Sequence, residues 1–153
     1  MTKEIIIELD ATIKELIYVL SSFDEEQINK IPFEGSWTAA QVGEHLRKSY
    51  DGVGAMISGK TKPAERPPDQ KVKQIRSDFG DFSIKMTSPH FVLPRNALYN
   101  KENLIESLSE LKEGIITAAS KLDLSEICVA FEFPGYGYLT RLEAIHFIII
   151  HTL

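Results

Sequence analysis

The chain has 153 residues, 43% hydrophobic and 25% charged, with a formal net charge of -5. That is the make-up of an ordinary soluble globular domain, long enough to bury a full core without a disulfide or structural metal, so residues 1–153 read as one domain. The acidic balance and the scattered basic residues exclude a nucleic-acid backbone as the main partner, since that affinity needs concentrated Lys and Arg.

No apolar run is long enough to span a bilayer, and Met1-Thr2-Lys3-Glu4 is not a signal-peptide start. No membrane partner is therefore expected, and the expected compartment is the cytoplasm. Cys128 is the single cysteine, which leaves no intrachain disulfide and no multi-thiolate zinc site. Beside Ile127 and Val129 it reads as a small buried apolar residue.

In chain order, Ile5, Leu9, Ile13, Leu16, Ile17 and Leu20 recur at spacings of three and four, which predicts a first helix over residues 3–22 with one buried face. Asp24-Glu25-Glu26-Gln27 opens a further turn, and residues 32–36 connect to a second long helix. That helix has a strong start. Thr38 and Gln41 form a capping box, and Trp37 and Val42 are placed as a hydrophobic staple. His45 lies about two turns in. The helix should run to about Met56, weakened late by Gly52 and Gly54.

Residues 59–68, with three prolines and several charges, read as an exposed loop. Val72, Ile75, Phe79 and Phe82 suggest a short helix, and Ser88-Pro89-His90-Phe91-Val92-Leu93-Pro94 an extended crossover. Asn100 caps a third long helix whose buried stripe is Leu104, Leu108, Leu111, Ile115, Ala118 and Leu122. It ends near Asp123. Residues 127–133 are short and extended, and Pro134-Gly135-Tyr136-Gly137-Tyr138 turns the chain into a last helix opened by a second capping box, Thr140 with Glu143. The isoleucine run that follows could alternatively be a strand, but the cap and the length favour helix, apolar on nearly every side as in a bundle interior. The fold class this predicts is all-α: a four-helix bundle with a long crossover between its second and third helices.

Bundle sites are built from inward-facing side chains on facing helices, which makes His45 and His151 a candidate pair. Taken singly, a helical histidine is more often a hydrogen-bonded structural residue than a ligand. His146 and His151 are five positions apart, roughly 140° around a helix, so they should not share one ion. His146 is expected to pack or face a loop, and His90 in the crossover is a weaker candidate. Ser49 shares a helical face with His45, but no oxyanion-hole turn or orienting carboxylate accompanies it, and no phosphate-cradling glycine loop is present.

The helix order, the Trp37-Thr38-x-x-Gln41-x-x-x-His45-Leu46 motif and the Gly137-Tyr138-Leu139-Thr140 turn leading to a final helix with His151 resemble the DinB/YfiT-like superfamily over nearly the whole chain. The motifs are short and degenerate, so the likeness rests on their order and spacing. The resemblance implies a four-helix bundle, often a homodimer, in which three histidines hold a divalent metal, commonly zinc or nickel. It also implies, for several members, thiol transfer with a low-molecular-weight thiol co-substrate such as bacillithiol, mycothiol or glutathione. His45 matches the first ligand and His151 the second. The third usually follows four residues later, at position 155, beyond Leu153. Either the chain is clipped short of a natural end, or water or a nearby carboxylate completes the site.

The resulting expectation is a metal-dependent enzyme acting on a small-molecule substrate, a thiol S-transferase or hydrolase in which the metal lowers the pKa of a bound thiol or water. No catalytic base is assigned, because Glu44, next to His45, points about 100° away. The alternative is a non-catalytic stress-response or ligand-binding bundle with an incomplete metal site, which the missing third histidine favours. A nucleic-acid role, suggested by the family's DNA-damage name, is not expected of so acidic a chain.

Overall fold

In a computed structural model, which describes residues 2–84 and 86–153, the chain forms α1 (Thr2–Ser21), α2 (Glu25–Ile28), α3 (Ala39–Ile57), a short strand β1 (Thr61–Lys62), α4 (Val72–Gly80), a 3-10 turn at His90–Val92, α5 (Lys101–Lys121), a second strand β2 (Ile127–Cys128) and α6 (Arg141–Thr152). The long helices α1, α3, α5 and α6 make the bundle. Both α5 and α6 pack against α1 and α3, so the order around the bundle is α1, α5, α3, α6. No helix among the described residues is long and apolar enough to cross a membrane.

Periodicity explains which faces are buried. Ile5, Leu9, Ile13 and Leu20 of α1 are buried, as are Leu104, Leu108 and Ile115 of α5, while α6 buries Leu142, Ala144, Ile145, Ile148, Ile149 and Ile150. The α5 stripe differs from the expected one. Leu111, Ala118 and Leu122 are half-buried, and Ala119 and Lys112 are buried instead. Lys112 can be inside because its ammonium donates to Asp10 Oδ1 of α1 at 2.7 Å, so the charge is paired as buried charges must be. Where α3 crosses, Gly43 allows the close approach: a Cβ there would stand 2.9 Å from Leu104 Cδ2.

Both capping boxes form, at Thr38 with Gln41 and at Thr140 with Glu143, and Asp24 with Gln27 makes a third. Val42, expected to staple against Trp37, is 43% exposed, and the Trp37 ring lies against His45 instead, with centroids 5.3 Å apart. The glycines at 52 and 54 do not shorten α3, which continues to Ile57 because Val53, Met56 and Ile57 are buried. Phe82 lies beyond the end of α4 and is 92% exposed. The crossover at residues 88–94 is not wholly extended, since His90–Val92 close a 3-10 turn that seats Val92 in the protein.

The segment expected as an exposed loop at 59–68 is only partly one. Thr61 and Lys62 pair antiparallel with Cys128 and Ile127. Arg66 and the backbone N–H of Lys71 reach the Glu143 carboxylate at the start of α6. Arg141 works from the other side, donating to Ile57 O at 2.7 Å, Asp123 O at 3.0 Å and Glu126 Oε2 at 2.9 Å. These bonds fix where α6 begins and hence how its far end presents His151.

Candidate functional site

The Thr38 cap starts α3, and two turns later His45 faces inward at 8% exposure. Its Nδ1 is 2.9 Å from the carbonyl of Val92 in the crossover turn. A carbonyl only accepts, so Nδ1 carries the proton and donates, which leaves Nε2 as the nitrogen free to offer a lone pair. That lone pair points at His151, near the end of α6. The two Nε2 atoms are 3.1 Å apart, and the rings meet edge to face with centroids 4.9 Å apart.

Burial, and then the neighbouring His45, push the His151 pKa down to about 4, so the ring is neutral near pH 7. Phe147, one turn earlier on α6, stacks on it at 5.1 Å and 19° from parallel, and Phe79 of α4 meets it edge-on at 5.6 Å. His151 Nδ1 is buried with no hydrogen-bond partner. The Nε2–Nε2 contact is a hydrogen bond only when one of the two nitrogens carries a proton, and which one does depends on the tautomers.

The other sequence candidates lie elsewhere. His90 is exposed on the crossover turn. His146 is half-buried on another side of α6, where burial lowers its pKa and Glu8 and Arg76 are among its charged neighbours. Ser49 Oγ donates to the His45 carbonyl at 3.0 Å, within its own helix, so no base activates it. Glu44 is clamped by Arg47, which donates through Nε at 2.8 Å and Nη2 at 2.6 Å. It is not poised as a base.

The pair opens on a cavity of about 690 Å³ between α3, α4, α6, the crossover and the segment around Phe133. An aromatic wall runs along it. Phe91 meets Phe131 at 5.7 Å, Phe131 meets Phe133 at 5.1 Å, Phe133 meets Phe147 at 5.1 Å and Phe147 meets Phe79 at 5.4 Å. None of these phenylalanines, nor the lining residues Asp78 and Tyr136, was picked out from the sequence as part of a site. Two signals were present: Phe131 and Phe133 alternate on an extended segment and share a face, and Phe147 precedes His151 by one helical turn.

Two imidazoles whose Nε2 atoms lie 3.1 Å apart fit a shared metal, because nitrogens bound at about 2.0–2.1 Å to one zinc-like ion must approach within roughly 3.5 Å. The carbonyl on His45 Nδ1 is the kind of outer partner that fixes a ligand's tautomer. Among the described residues no group of three or more His, Cys, Asp or Glu side chains could surround an ion. Among the described residues the side-chain donors brought together here are the two imidazoles of His45 and His151.

The sequence model of the DinB superfamily matches residues 8–153. The chain belongs to the DinB superfamily. The crystal structure of TT2238, a four-helix bundle protein, is similar to this DinB chain at 18% sequence identity, covering 99% of this chain and 92% of that one with a TM-score of 0.60, a likeness of fold. No curated protein matches.

Proposed function

We propose that this DinB-superfamily chain is a metal-dependent enzyme acting on small molecules, of the thiol-transferase or hydrolase type, with zinc or nickel held by His45 and His151. The observation that carries this reading is the 3.1 Å approach of their two Nε2 atoms at the wall of a cavity of about 690 Å³. A metal bound there supplies Lewis acidity, lowering the pKa of a thiol or water that shares it. The chain's own residues prepare the place. The Val92 carbonyl keeps the proton on His45 Nδ1, Phe147 holds the His151 ring by stacking, and the phenylalanine wall excludes water from whatever lies against it.

The test uses Trp37, the single tryptophan, whose ring is 5.3 Å from His45. Chelator-treated protein is titrated with nickel or cobalt ions and followed by tryptophan quenching. Saturable quenching at one ion per chain, lost in His45→Ala and in His151→Ala, is expected, and turnover of a thiol with an electrophile should depend on the loaded metal. Absence of saturable quenching removes the reading.

A second reading, a non-catalytic ligand-binding bundle, is favoured by the lack of a third His, Cys, Asp or Glu near the pair among the described residues. Protein that binds an apolar molecule yet neither binds metal nor turns over substrate would decide for it.

A further inference from the structure

We infer that the cavity takes an uncharged, mainly aromatic or aliphatic molecule bearing a hydrogen-bond donor, and discriminates against anions. The inference rests on the cavity being the substrate site proposed above, though not on the metal.

Its volume of about 690 Å³ suits one small organic molecule. The wall is phenylalanine, which offers dispersion and ring edges but no solvation for a charge. Two of the polar side chains along it, Ser49 and Lys48, are already engaged. Ser49 Oγ is turned back to the His45 carbonyl. Lys48 is the one lysine or arginine among the described lining residues, and its ammonium donates to the Leu93 carbonyl at 2.7 Å in an exposed bond, at the rim rather than inside.

Asp78 is the one carboxylate of the lining. Its Oδ2 accepts from the Tyr136 hydroxyl at 2.7 Å and its Oδ1 from Gln74 Nε2 at 2.8 Å. Each carboxylate oxygen has two lone pairs, so each can still accept from a ligand N–H or O–H. An anionic ligand finds the reverse: a like charge at Asp78, no inward cation among the described residues, and apolar walls that strip its water. Asp78 and Tyr136 are therefore the specificity-determining pair.

Two probes share one aromatic frame and differ in charge: N-phenylnaphthylamine, neutral with one N–H donor, and anilinonaphthalene sulfonate. Chelator-treated protein should bind the amine saturably at one per chain, with energy transfer from Trp37, and at least about tenfold more tightly than the sulfonate. Asp78→Asn should narrow that ratio to under about threefold, and Tyr136→Phe, which frees Oδ2, should widen it, so the test stands if either variant folds. Equal or tighter binding of the sulfonate, no saturable transfer to the amine, or a ratio that neither variant moves in the stated direction overturns the inference. Because metal is absent throughout, failure here leaves the metal titration untouched, and failure of that titration leaves this result standing.

Discussion

Glu143 and Arg66 form a bidentate ion pair, Nη1 to Oε1 at 2.6 Å and Nη2 to Oε2 at 2.9 Å, with the Glu143 side chain wholly shielded from solvent. The pair joins the segment at residues 59–68 to the first turn of α6. Removing Arg66 leaves a buried charge held only by the backbone N–H groups of Lys71 and Thr140. Arg66→Ala should therefore cost about 3 kcal/mol, while a double replacement, Arg66→Met with Glu143→Gln, should cost less than Arg66→Ala alone. Urea denaturation midpoints check both.

The same carboxylate sets a pH dependence. Burial acts to raise the Glu143 pKa, but the Arg66 hydrogen bonds and the N–H groups of Thr140 and Lys71 together hold it below the ordinary value of 4.5. A folded pKa below the unfolded one means a contribution fully present above about pH 4.5 and lost as pH falls through the folded value. Thermal midpoints measured downward from pH 6 should fall in that acid window, and Glu143→Gln should flatten this part of the profile.

Two caps of the same type should differ in worth. Thr38 Oγ1 accepts from Gln41 N at 3.1 Å, and Thr38→Ala should cost about 1 kcal/mol. Thr140 Oγ1 accepts from Glu143 N at 3.1 Å and also donates to the Pro68 carbonyl at 2.5 Å, tying down the end of the 59–68 segment. Thr140→Ala should cost about 2 kcal/mol, the cap plus one buried hydrogen bond. Equal midpoints for the two variants would refute the second role.

Gly114 lies within α5, is exposed, and a Cβ there would meet nothing within 4 Å. Gly114→Ala should raise stability by roughly 0.5–1 kcal/mol, because alanine loses less backbone entropy in a helix. A lowered denaturation midpoint would show that the position has a contact this geometry lacks.

What the sequence determined by itself is local. A cap needs only an oxygen and an N–H three residues on, so Thr38, Asn100 and Thr140 announce where α3, α5 and α6 begin. A 3.6-residue apolar period likewise marks the faces of α1 and α5 that must be covered. Where local rules met tertiary contacts they gave way: Val42 stays partly exposed because Trp37 lies against His45, and Lys112 is buried because Asp10 of another helix pairs with it. Helical order and spacing were enough to make His45 and His151 a candidate pair, yet their 3.1 Å approach, across 106 positions of sequence, depends on α3 and α6 packing as neighbours. The cavity depended on tertiary structure still more. Its phenylalanines come from the crossover, α4, the segment after β2 and α6, and they meet through the packing of α6 on α3 and α4, with the start of α6 tied down by Arg66, Glu143 and Arg141. Periodicity shows that a face must be buried, but the partner that buries it is chosen by the packing of the whole chain.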